Sequence, residues 1–119
     1  MEKRQFTRVP FKANVVVSAD GEEIRGETGN ISLRGMYIQG FQELPLGQEV
    51  HVEISLPDGT DDRRLKTKAV PVRLQDGGTG FQFGTMDFDS FFILQEIVTK
   101  VSGTPGQVMS EVMRFINGS

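Results

Sequence analysis

The residues with chemistry to offer lie in two short segments. One is Lys3-Arg4-Gln5-Phe6-Thr7-Arg8, with two arginines four positions apart; the other is Asn30-Ile31-Ser32-Leu33-Arg34-Gly35. A guanidinium can meet guanine O6 and N7 with two parallel donors, stack flat on a base, or pair with a phosphate. Lysine brings charge without that fork. Arginines separated by three residues share one side of an extended arm, or lie one turn apart on a helix, so both can reach one bulky ligand. Asn30 offers an acceptor for the ring and exocyclic N–H groups of guanine, and the Ser32 hydroxyl can bond a base or a phosphate. Gly35 lets the chain turn and a ligand come close. Each segment alone is unspecific: eight arginines give a chance pair at this spacing, and residues 30–35 also read as a strand end followed by a turn.

Other chemistry finds no footing in the chain. The single histidine, His51, falls on the outward phase of a strand beside Glu53, and no serine has a nucleophile-elbow context. Asp58, Asp61 and Asp62 crowd one turn but lack the glycine and glutamate positions of a calcium loop, so they read as solvated turn residues. Asp87 and Asp89 read as helix-start residues. No glycine-rich loop matches a Walker or Rossmann fingerprint, and with no cysteine there is no disulfide, thiolate metal site or cysteine nucleophile. The expectation is a binding domain, not an enzyme, with no cofactor and no metal.

At 119 residues and 37% hydrophobic, the chain suits one domain, residues 1–119, with one core. Its opening lacks a signal-peptide core, and no apolar run approaches the roughly 20 residues that span a bilayer, so a soluble, cytoplasmic protein without membrane insertion is expected. A net charge of −3 argues against DNA, RNA or an anionic membrane as partner. That average hides an asymmetry. Residues 1–12 carry +3 and the remainder −6, and a small positive arm on an acidic body suits a compact anion.

The elements that must position these residues are mostly strands. After the arm of residues 1–12, the β-branched run Ala13 to Ser18 predicts a first strand, turned by Asp20-Gly21. A second strand runs from Glu23 to Ser32. Its alternation places Ile31 inside and Asn30 and Ser32 side by side outside, and Ile24 on the wrong phase asks for a bulge near Gly26 or Gly29. Met36 to Gln39 forms a third strand and Val50 to Leu56 a fourth with clean alternation. Pro57 to Thr60 is a turn. A long strand from about Arg63 to Gln75 has inward residues Leu65, Thr67 and Ala69, then Val70, Val72 and Leu74; Pro71 puts part of it at an edge. The sixth strand carries Phe81 and Phe83 inward. Six antiparallel strands over residues 13–88 predict a small barrel. Residues 89–117 then predict two helices, the first capped by Asp89 or Ser90 and ended by Gly103, the second opened by a Thr104 to Gln107 capping box.

Taken together, Arg4-x-x-x-Arg8 and Asn30-x-Ser32-x-x-Gly35, in this order and on this scaffold, resemble the two signature motifs of the PilZ domain family, and Gly78 to Phe83 is similar to its glycine-rich late strand. The resemblance covers about residues 3–101. It implies a six-stranded antiparallel β-barrel with C-terminal helices that binds the bacterial second messenger cyclic di-GMP. Arg4 and Arg8 would lie on guanine and phosphate, Asn30 and Ser32 on the other edge of a base, and Gly35 at an open floor. Asn30 replaces the commoner aspartate and loses one charge. Lys3, just before the first arginine, favours a stacked pair of ligands over one. Signalling would follow from ordering of the arm, read by an unidentified downstream protein. The second helix caps the barrel or offers a dimer or partner surface. Two alternatives stay open: a PilZ-like interaction module that binds no nucleotide, and a small-barrel RNA binder using Phe6, Phe11, Tyr37 and Phe41 as stacking platforms.

Overall fold

The computed structural model describes residues 6–40, 44–56 and 64–117. Strands β1 (Val9–Pro10), β2 (Asn14–Ala19), β3 (Glu22–Ile31), β4 (Gly35–Gln39), β5 (Val50–Ser55), β6 (Arg64–Gln75) and β7 (Gly78–Met86) precede helices α1 (Phe88–Ser102) and α2 (Pro105–Ile116). All pairings are antiparallel, in the order β1-β3-β2-β5-β6-β7-β4, and a further β3–β4 pairing closes six strands into the expected barrel. The short β1 lies on β3 beyond the end of β2, with Val9 opposite Ile31 and Pro10 opposite Asn30. Closure hides the ladder groups that an open sheet would leave at its edges.

Alternation fills the interior. Val15, Val17, Val50, Val52, Ile54, Leu65 and Ala69 point in, joined by Ile31, Met36, Ile38, Phe81 and Phe83. His51 is exposed, as its phase requires. The β3 bulge falls at Gly29, between Thr28 and Asn30, so Thr28 and Ile31 both face inward while Asn30 turns out.

The far half of β6 departs from the expected phase. Ala69 and Pro71 are buried, whereas Val72 and Leu74 are exposed. Register shifts flank this stretch, and β5 accompanies β6 only as far as Ala69; beyond it β6 is paired with β7 alone, and Val72 and Leu74 face outward. Pro71 therefore does sit on the edge portion, where a missing N–H costs no ladder bond. The Pro57 to Thr60 turn and Asp58, Asp61 and Asp62 lie outside the described residues.

Helix α1 starts at Phe88 because Asp87, not Asp89 or Ser90, is the cap: its carboxylate accepts the Ser90 amide at 2.8 Å. The Ser90 hydroxyl turns to the barrel instead and accepts the Lys66 amide at 3.0 Å. Leu94 and Val98 of α1 are buried, while Phe92 and Val101 of the predicted apolar face remain exposed. Gly103, at φ 71°, ends the helix as expected. No capping box opens α2, since the Thr104 side chain makes no cap hydrogen bond. Gln107 donates to Thr7 Oγ1 and Glu111 instead. Among the described residues no helix is long and apolar enough to cross a membrane.

Candidate functional site

The second motif is a hairpin turn. Ser32, Leu33 and Arg34 connect β3 to β4, and Ser32 N–H donates to Gly35 O at 2.8 Å across the turn. Leu33 plugs the core and Arg34 is exposed. Ser32 is also buried, contrary to the expectation that it lies outside beside Asn30. Its Oγ accepts the amides of Arg34 at 3.1 Å and Gly35 at 3.3 Å. Strand alternation stops at the turn, and a serine hydroxyl there folds back on its own backbone. Gly35 is needed for packing: a Cβ at this position would be driven into the carbonyl oxygen of Phe81 on β7. Ser32 and Gly35 thus build the turn, and Asn30 is the half-buried residue that it presents.

The arm is stitched to β3 next to that turn. Phe11 N–H donates to Gly29 O at 3.2 Å, and Thr28 Oγ1 accepts the Ala13 amide at 2.9 Å and donates to Phe11 O. This fastening sets Arg8 against Asn30, whose Oδ1 accepts from Arg8 Nη1 at 2.6 Å. The two motifs therefore meet directly. One step earlier, Glu111 of α2 accepts Thr7 N–H at 3.0 Å and the Thr7 hydroxyl at 2.5 Å. Phe6 packs edge-on to Phe115 at 6.4 Å, and the guanidinium groups of Arg34 and Arg114 lie over its ring at 5.6 and 5.1 Å. Lys3 and Arg4 are outside the described residues, as is Phe41.

Arg8 and Asn30 open onto a cleft of about 490 Å³, within the range of small-ligand sites. Arg34, Tyr37, Arg73 and Gln82 also line it. Tyr37 lies across Gly78 and donates its hydroxyl to Gln75 O at 2.7 Å, which holds its ring against the wall. Although Arg8 as a whole is exposed, desolvation lowers its pKa first and the charge of Arg73 adds to the effect. An arginine remains charged at neutral pH even so. The cleft offers forked donors and an amide to a ligand that carries negative charge. Sequence reading missed Arg34 and Arg73, because nothing local in a strand or turn marks an arginine for a cleft that pairing creates. Among the described residues no cluster of histidine and carboxylate side chains could hold a metal.

Residues 2–101 match the PilZ domain family model, so the chain belongs to the PilZ domain family, whose members are cyclic di-GMP receptor and effector modules and not enzymes. Comparison with curated proteins finds no match. Among solved structures, the Bacillus subtilis inhibitor of motility MotI/DgrA is similar over 84% of this chain and 51% of its own, at 21% identity and TM-score 0.71. The PilZ domain of Escherichia coli YcgR with c-di-GMP is similar over 99% of this chain and all of its own, at 15% identity and TM-score 0.66. YcgR in complex with c-di-GMP matches over 94% of this chain and 51% of its own, at 17% identity and TM-score 0.70. The chain spans about half the length of MotI/DgrA and of that YcgR chain. At these identities the likeness is one of fold.

Proposed function

We propose that the chain is a cyclic di-GMP receptor, with Arg8 and Asn30 on the ligand, Arg4 and Lys3 joining them from the arm, and Ser32 and Gly35 acting through the turn. The observation that carries this reading is the 2.6 Å contact between Arg8 and Asn30, which brings the two motifs together at one cleft. Membership of the family and the ligand named for the E. coli structures support it. Binding orders the arm around the ligand. The chain from Phe6 onward is seated on β3 and α2, which sets Arg8 at the cleft for that ligand. Whether Lys3 brings in a second, stacked ligand is read from the stoichiometry.

The signal passes in the cytoplasm to a downstream protein. Helix α2 presents exposed Met109, Met113 and Ile116, the observation that favours the second reading of a module working through its helices alone or as a homodimer. Calorimetric titration with cyclic di-GMP, a linear dinucleotide and single-stranded RNA separates the readings. Saturable binding of the cyclic ligand alone supports the receptor. No heat with any of the three overturns it and leaves the interaction module, and binding to the RNA alone favours the stacking-platform reading.

A further inference from the structure

We propose that Arg73 is a third cationic contact of this cleft, holding a phosphate of the ligand across from Arg8, with Gly80 as the seat for its side chain. The inference rests on the cyclic di-GMP reading above. It begins with β6 beyond Ala69, which has left β5 behind and pairs with β7 alone, so that its exposed residues Val72, Arg73 and Gln75 wall the cleft. Arg73 and Gly80 are cross-strand partners there. A Cβ on Gly80 would sit 3.3 Å from Arg73 Cγ, 3.5 Å from Nε and 3.9 Å from Cζ, so the arginine side chain lies along the face that this glycine leaves bare. A larger residue at position 80 would lift it away.

The charges give that placement its meaning. Arg8, Arg34 and Arg73 line the cleft, and Asp76 is the only acid among its described lining residues. Arg8 is bound to the neutral Asn30 amide, and Arg34 lies over Phe6 and Phe115. The Arg73 side chain makes no hydrogen bond or ion pair among the described residues. Three like charges that share a cleft with a single acid still repel, and an anion between them removes the repulsion. A cyclic dinucleotide carries two phosphates on one ring and can satisfy guanidinium groups on two walls.

The test is titration of the full chain with cyclic di-GMP in wild type, Arg73→Ala and Arg73→Lys, at low and high salt. Arg73→Ala is expected to bind about 10-fold more weakly and with a smaller salt dependence. Arg73→Lys should stay within about 3-fold, because a point charge serves a phosphate but not a bidentate base edge. Thermal unfolding without ligand should be unchanged in both, since Arg73 is exposed. Wild-type affinity in Arg73→Ala overturns the proposal, and so does a loss in Arg73→Lys as large as in alanine. If wild type itself does not bind, the receptor reading has failed.

Discussion

Glu111, near the end of the chain, grips Thr7, near its start: the buried carboxylate accepts both the amide and the hydroxyl of a residue 104 positions away. Thr7 lies between the two arginines of the arm and beside Arg8, which Asn30 holds from the other side. The arm is thus held between two surfaces, the β3–β4 turn and α2. The family match ends at residue 101, so one of these surfaces belongs to the part of the chain outside it. On the receptor reading proposed above, seating Arg8 before the ligand arrives removes part of the ordering cost of binding.

Glu111→Ala should therefore act at a distance. Three hydrogen bonds to a buried carboxylate are lost, two from Thr7 and one from Gln107, and stability should fall by about 2–3 kcal/mol in urea unfolding. Protection of the Thr7 amide from hydrogen exchange should collapse, and cyclic di-GMP affinity should drop several-fold although Glu111 does not line the cleft. Unchanged Thr7 exchange would mean that the arm is held by β3 alone.

Arg8→Ala should cost about 1–3 kcal/mol of binding if the guanidinium makes a good bidentate contact, or roughly 5- to 150-fold in affinity. Asn30→Ala should cost about 5-fold by freeing Arg8, whereas Asn30→Asp should keep wild-type affinity or better, because a carboxylate orients the guanidinium at least as firmly. Calorimetry reads all three. An Asn30→Asp variant as weak as Asn30→Ala would show that the amide donor, not Oδ1, is what the ligand needs.

Much of this arrangement was open to reading from residue order, because its causes are local. The alternation of Val50, Val52 and Ile54 placed β5, the misphased Ile24 called for a bulge that sits at Gly29, and Gly103 stops α1. The failures share one physical origin. Ser32 was placed outside by alternation, but it has left the strand and serves the turn. Val72 and Leu74 are apolar on a stretch of β6 that β5 no longer accompanies, and Gln107, set where a capping box needs it, is drawn off by Thr7. Contacts made across the fold decided each of these. Arg73 and Glu111 were invisible for the same reason, since their partners come from other strands and the far terminus.

Ser32→Ala and Gly35→Ala should damage the fold before they damage any ligand contact. Removing the hydroxyl strips the amides of Arg34 and Gly35 of their acceptor, at about 1–3 kcal/mol. The methyl at position 35 collides with the Phe81 carbonyl, and the β4–β7 pairing must open to admit it. Both variants should show lower melting temperatures without ligand, Gly35→Ala the more so. Ser32→Ala with normal stability and lost binding would put the hydroxyl on the ligand after all.

Removing residues 104–119 separates a clasp from a mere partner surface. The barrel and α1 keep their own core, including Leu94 and Val98, so the β-rich circular dichroism should survive. Stability should fall by roughly 3–5 kcal/mol, from the lost burial of Val108 and Val112 alone. That is a large share of the 5–15 kcal/mol typical of a domain. Thr7 and Phe6 would lose the groups that α2 lays on them, and ligand affinity should fall at least as far as in Glu111→Ala. If the helix served only a downstream protein, the shortened chain would bind cyclic di-GMP as tightly as the full one, and its arm would exchange no faster.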